Sequence, residues 1–261
     1  MTKVFQDVSG RPAGVSISLI TITLNCRGVI KDCLDSVVKQ HGSPCEHIVV
    51  DGASTDGTLD IVRGFGHLTE VISEPDDGIY DALNKGVRRV SGDIVGFLHS
   101  DDLLAHPDVL TRITEAFEDP EVDAVYGDLV YVDAVNTDCV IRLWRAGEFQ
   151  PRCLRRGWMP PHPTLYVRRH WFERLGGFDT RYRIAGDYDF ILRLFSQPDF
   201  KAVYLPGVMV KMRQGGSSNE SLRQIVLKTR EDYAALRRSG VGGFMSLFSK
   251  NFRKVHQFFI R

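Results

Sequence analysis

Three short polar runs in this 261-residue chain each follow an apolar stretch: Thr23-Leu24-Asn25, Asp51-Gly52 and His99-Ser100-Asp101-Asp102. Adjacent carboxylates such as Asp101 and Asp102 repel one another, and they need hydrogen-bond donors, separate solvation or a cation. A divalent ion bridging carboxylate and diphosphate oxygens meets that need, because hard cations prefer oxygen ligands. Either aspartate alone would also serve as N-cap of a helix beginning near Pro107. The pair, with Asp51 ending a second apolar run, points to chemistry instead. Other phosphate-binding and hydrolytic signatures are missing: TLNCRG follows the first strand where GxGxxG would stand, and no GxxxxGK[ST], GxSxG or HExxH occurs.

The elements that must position these residues follow from periodicity. Val15–Leu24 is β-branched and almost continuously apolar, as in a strand buried on both faces. Ile30, Cys33, Leu34, Val37 and Val38 recur at helical spacing, so 29–40 is predicted to be an amphipathic helix. Strands are expected at His47–Asp51, around Val71 and Ile72, and at Asp93–Leu98. Short helices are expected around Leu59–Val62 and through Ile79, Leu83, Gly86, Val87 and Val90. This alternation predicts β-α-β units in a mainly parallel sheet, which binds ligands beyond the carboxyl ends of its strands. After residue 120 the pattern changes to strands at Val122–Asp133 and Cys139–Trp144, a break at WMPPHP (158–163), a helix at Asp187–Phe195, a strand at Lys201–Met212 and a helix at Leu222–Arg238.

Composition narrows the class. Lys+Arg and Asp+Glu are 33 each, and the hydrophobic fraction of 43% suits a folded globular chain. No apolar run reaches the roughly 18–20 residues of a membrane span, and MTKVFQDVSG has no signal-type apolar stretch, so we expect a cytosol-facing protein. Five cysteines without a CxxC pair fit reduced thiols. The zero net charge conceals an acidic body and a tail, 221–261, with nine Lys/Arg against two acids.

In order along the chain, ISLITITLN (17–25), VVDGASTDGT (49–58), EPDDGIYDALNKG (74–86), SGDIVGFLHSDD (91–102), YGD (126–128), HPTLYVRR (162–169) and GGFDTRYRIAGDYDFILRL (176–194) resemble a family-2 glycosyltransferase of the GT-A fold, of the kind found in bacterial exopolysaccharide, capsule and O-antigen synthesis. The resemblance covers about residues 15–215. It implies an α/β fold with a Rossmann-like, mainly parallel sheet and an acceptor-side α+β half. It also implies inverting sugar transfer from a nucleotide-sugar, UDP-linked above all, with Mg²⁺ or Mn²⁺. Carried over, Thr23, Asn25 and Asp51 line the nucleoside pocket, Asp102 is the preferred metal ligand with Asp101 nearer the ribose, and Asp187 is the catalytic base. Two positions depart from the family: His99 stands where an acid is common, and Gly52 replaces the second of two consecutive acids.

Other polar residues keep two readings. Lys85 and Arg88 face either diphosphate or solvent; Lys85 is carried as a nucleotide contact. His162 touches diphosphate, acceptor or neither. Arg213 and Ser217, in Gly-rich KMRQGGSSN, belong to a loop over the sugar-diphosphate or to a plain turn. In the tail, Phe244, Phe248, Phe252, Val255 and Phe259 form one helical stripe flanked by Lys250, Arg253 and Lys254, the pattern of an in-plane helix on anionic lipid. The same stripe would suit docking on the body or a homo-oligomer contact, whereas nucleic acid is not expected.

The organisation read from the sequence is a flexible N-terminus (1–14), a catalytic domain (15–215, divided at 120/121 into nucleotide-binding and acceptor halves) and a basic helical extension (216–261). The expected function is transfer to a lipid-linked saccharide at the inner face of the membrane. The alternatives are a catalytically weak nucleotide-sugar-binding or membrane scaffold protein, and a sugar-phosphate nucleotidyltransferase.

Overall fold

A computed structural model describes residues 14–41, 45–215 and 222–247. The first half alternates as the periodicity requires: β1 (Ile17–Thr23), α1 (Ile30–Val38), β2 (Cys45–Asp51), α2 (Thr58–Arg63), β3 (Glu70–Ser73), α3 (Ile79–Val87) and β4 (Ile94–Phe97). These four strands pair in parallel in the order β3-β2-β1-β4, which brings Thr23 opposite Asp51 and Asp51 opposite Ser73. Every residue of β1 is buried because the sheet is covered on both faces. Ile20, Ile22, Val95 and Phe97 pack in one core with Tyr80, Trp171 and Tyr188, while Ile17, Leu19, Ile94 and Leu98 pack in the other with Cys33, Leu110 and Ile113.

The second half adds β5 (Leu103–Leu104), α4 (Val109–Ala116), β6 (Ala124–Val132), β7 (Val140–Trp144), α5 (Pro151–Leu154), β8 (Tyr166–Arg168), α6 (His170–Leu175), α7 (Gly186–Phe195), β9 (Ala202–Arg213) and α8 (Leu222–Arg238). The sheet continues without a break, β3-β2-β1-β4-β8-β6-β9-β5, with β7 hairpinned on β6. β8 is the seam, antiparallel to both β4 and β6. Its Tyr166 ring lies across β4, where a Cβ on Gly96 would stand 2.2 Å from the ring. Glycine at 96 therefore lets the two halves share one sheet.

Several expectations change. β5, β8 and α6 are too short, two to six residues, to leave a periodic signal. The helix expected near Pro107 starts at Val109 with Asp108 at its N-cap, so neither Asp101 nor Asp102 caps it. Phe248, Phe252, Val255, Phe259, Lys250, Arg253, Lys254 and Ser217 lie outside the described residues. Phe244 and Met245 are described, and they are 71% and 77% exposed. No helix among the described residues is long and apolar enough to cross a membrane.

Candidate active site

The residues expected to receive the nucleoside are knitted together at the carboxyl ends of β1–β3. The Gly52 N–H donates to the Thr23 carbonyl at 2.9 Å. Asp51 is fully buried, and its Oδ2 accepts from the Ser54 N–H (3.0 Å) and the Ser73 hydroxyl (2.7 Å). Its Oδ1 and the Thr23 hydroxyl are buried without a partner among the described residues. Orphaned acceptors of that kind are costly unless a ligand satisfies them. Asn25 adopts a left-handed conformation (φ 51°), and its side-chain oxygen accepts the Thr55 N–H at 2.9 Å. Asn25 thus braces the loop beyond β2.

Asp76, which the sequence reading did not single out, stands beside this corner. A Cβ on Gly52 would lie 2.7 Å from Asp76 Oδ2. The carboxylate missing at position 52 is therefore matched by one arriving from the loop after β3. Lys85 Nζ holds it at 2.8 Å and also pairs with Glu74 (3.1 Å) and Asp81 (3.3 Å). These carboxylates raise the Lys85 pKa. The Lys85 side chain is mostly buried, with its charge paired to three carboxylates beside this corner.

Asp187, the candidate base, lies within electrostatic reach of His99, beyond the end of β4, and of His162, in the 3-10 turn His162–Thr164. Asp187 is the second residue of α7, with Ala185 at the N-cap, so it is no N-cap itself. Its Oδ1 accepts from the Tyr80 hydroxyl (3.2 Å) and the Tyr188 N–H (2.8 Å). The same Tyr80 hydroxyl donates to the Ile184 carbonyl at 2.6 Å. Burial, and then the Asp187 charge, push the Tyr80 pKa up. His162 stacks on Phe97 (centroids 5.3 Å) and faces His99 at 5.9 Å. Both of its ring nitrogens are buried without a partner among the described residues. Burial holds its pKa down to about 4, with Asp187 opposing and His99 adding to the lowering. His162 is therefore neutral at pH 7, one nitrogen donating and one accepting. Burial also lowers the His99 pKa, and the charges of Asp101 and Asp187 oppose it.

Asp101 and Asp102 diverge. Asp101 is half-buried and lies within electrostatic reach of His99, which also feels Asp187. Asp102 is fully buried, and neither of its carboxylate oxygens has a partner among the described residues. Burial and the Asp101 charge push its pKa well up, while nearby Arg213 lowers it. Arg213 ends β9, pairs with Asp32 and donates to the Ala134 carbonyl (2.8 Å). It is consequently a buried counter-charge to Asp102, anchored in the strand, and not a mobile loop residue. The buried, unpartnered oxygens of Asp102, beside the half-buried Asp101 carboxylate, suit a hard cation. No group of three or more His, Cys, Asp or Glu among the described residues forms a ready cage, so such an ion would complete its shell with ligand or water oxygens.

Comparison with known proteins decides the family. Residues 18–182 match Glycosyl transferase family 2. A PGL/p-HBAD biosynthesis glycosyltransferase of Mycobacterium tuberculosis is 33% identical over 228 residues, covering 84% of this chain and 87% of that protein. The chain belongs to glycosyl transferase family 2. Chondroitin synthase of Pasteurella multocida is 27% identical over 71% of this chain but only 19% of its own length. Among solved structures, a Pyrobaculum calidifontis mannosyltransferase in complex with GDP-Man and Mn²⁺ superposes with TM-score 0.65 at 22% identity, covering 95% of this chain and 72% of its own. S. aureus TarS 1-349 with UDP-GlcNAc gives 0.67 at 20% identity, covering 87% and 66%. The fold is GT-A, and the chain is a glycosyltransferase.

Proposed function

We propose that this glycosyltransferase moves a sugar from a nucleotide-diphosphate donor, UDP-linked above all, to a hydroxyl of a lipid-linked saccharide, with inversion. The carrying observation is Asp187: a carboxylate fixed in the first turn of α7 by Tyr80, within electrostatic reach of His99 and His162 beyond the end of β4. In this reading Asp187 accepts the proton of the acceptor hydroxyl as its oxygen attacks the anomeric carbon. The bond from that carbon to the diphosphate breaks on the opposite face, so one base suffices and no sugar–enzyme bond forms. Thr23 and Asp51, with Asp76, receive the nucleoside, and neutral His162 offers an uncharged contact to sugar or acceptor.

Mg²⁺ or Mn²⁺, when bound, supplies charge neutralisation for the leaving diphosphate. Asp102, whose buried oxygens have no partner among the described residues, and the half-buried Asp101 beside it would hold the ion, with Arg213 as a nearby counter-charge. The Mn²⁺ in the mannosyltransferase neighbour supports this reading.

Attachment to the inner membrane face is supported by the outward face of α8, where exposed Arg223, Val226, Arg230, Tyr233 and Arg237 mix basic and apolar groups, and by exposed Phe244 and Met245. Titration calorimetry with UDP, GDP, dTDP and CMP, each with and without Mn²⁺, should show Mn²⁺-dependent binding of one diphosphate. A folded sample that binds none overturns the proposal. Removing residues 243–261 should lower the fraction sedimenting with anionic vesicles; an unaltered fraction refutes the membrane assignment.

A further inference from the structure

We infer that Glu231, on α8, is a positioning residue for Asp187. This rests on the transferase reading of Asp187 and extends it to an element outside the resembling segments. Glu231 Oε1 accepts the Arg183 N–H at 3.0 Å, and Oε2 accepts those of Ile184 and Ala185 at 2.8 and 2.9 Å. Those three residues are the segment that enters α7, and no side chain at the N-cap, Ala185, satisfies the donors there. Arg183 and Ile184 precede the helix and Ala185 is its N-cap, and a carboxylate is a strong acceptor for such backbone N–H groups.

The segment is thus gripped from two directions. Glu231 takes its N–H groups, while the single Tyr80 hydroxyl proton is shared between the Ile184 carbonyl (2.6 Å) and Asp187 Oδ1 (3.2 Å). With both grips in place, the backbone carrying Asp187 has little freedom to rotate. Placement of a base to within a fraction of an ångström is what such a grip supplies. Ala235 and Leu236 bury α8 against the body, and Arg238 pairs with Asp179, so the helix keeps its dock without Glu231.

The test compares wild type, Glu231→Ala, Glu231→Gln and Asp187→Asn as full chains. Release of nucleoside diphosphate is measured from UDP-GlcNAc, UDP-glucose and GDP-mannose with Mn²⁺ and octyl β-glucoside as hydroxyl acceptor. Amide hydrogen exchange is followed over residues 183–190. Glu231→Ala should lower kcat about tenfold, with donor KM within about twofold of wild type, because the base moves and the donor pocket does not. Exchange at 183–190 should quicken roughly tenfold while α8 is unaltered. Glu231→Gln, which keeps one acceptor oxygen, should recover to within about threefold of wild type. Unchanged exchange and kcat in Glu231→Ala overturn the inference. So does a parallel loss of kcat, donor affinity and melting temperature, which marks a mere strut. Turnover by Asp187→Asn equal to wild type, or none by wild type, instead sinks the transferase reading, and exchange still decides the grip.

Discussion

The two ends of the cleft are built by opposite means. At the nucleoside end, Asp51, Ser54, Asn25, Thr55 and Ser73 bond to partners no more than 30 positions away. At the reaction end the partners come from afar: Tyr80 meets Asp187 across 107 positions, and Arg213 meets Asp32 across 181. Local bonding gives a pocket that folds with its own β-α-β units. Distant bonding gives a centre that exists only once the whole sheet has closed. A recognition pocket can tolerate the first; a base aligned on a reacting carbon needs the rigidity of the second.

The contrast can be broken at several points. Asp187→Asn removes proton acceptance and should cost roughly 10³-fold in kcat while nucleotide binding stays near wild type. A parallel loss of both would show that the two ends are one unit. A second, smaller effect concerns only the nucleoside half. His47 is buried between Thr21 (2.9 Å) and His67 (3.0 Å), and burial, then the His67 charge, lowers its pKa from 6.5 to about 3. The unfolded chain takes up the proton below pH 6.5, whereas the folded chain does not until about pH 3. Stability contributed by neutral His47 is therefore full above pH 6.5 and falls as pH drops towards 3. Urea midpoints should lose the equivalent of roughly 2 kcal/mol between pH 7 and pH 5, and His47→Gln should flatten that slope. An unflattened slope would place the linkage elsewhere. The smallest effect is expected from Gly52→Asp, which sets a second carboxylate against Asp76 and should raise nucleoside diphosphate Kd about tenfold. Unaltered affinity would mean that Asp76 swings aside at little cost.

The same contrast explains what the sequence disclosed. Asp51, Thr23 and the strands that carry them were legible because β-branched runs and the polar residues ending them are contiguous. Asp187 was reached only through resemblance to the family, since nothing near it signals a base. Asp76 sits in the resembling segment EPDDGIYDALNKG, but its place beside Gly52 was not legible, because the two are 24 positions apart in the chain. The relative burial of Asp101 and Asp102 could not be read either. Adjacent residues look equivalent in a sequence, and only the turn after β4, with the Asp102 N–H bonded to the His99 carbonyl at 3.0 Å, sends them different ways. The three carboxylates around Lys85 were not legible as its partners either, since only the fold of the loop after β3 gathers Glu74 and Asp76 against it.

The seam at β8 has a bearing on how this molecule can be taken apart. Because one strand, antiparallel to both neighbours, stitches β4 to β6, and Tyr166 lies where any side chain at position 96 would have to go, the β3-β2-β1-β4 block and the strands beyond it form one sheet with no hinge between them. Cutting the gene at 120/121 would leave each fragment with a raw, apolar sheet edge, prone to find another chain. The halves are therefore inseparable as modules: new acceptor specificity would have to be acquired by exchanging loops at the strand ends, and not by swapping one half for another.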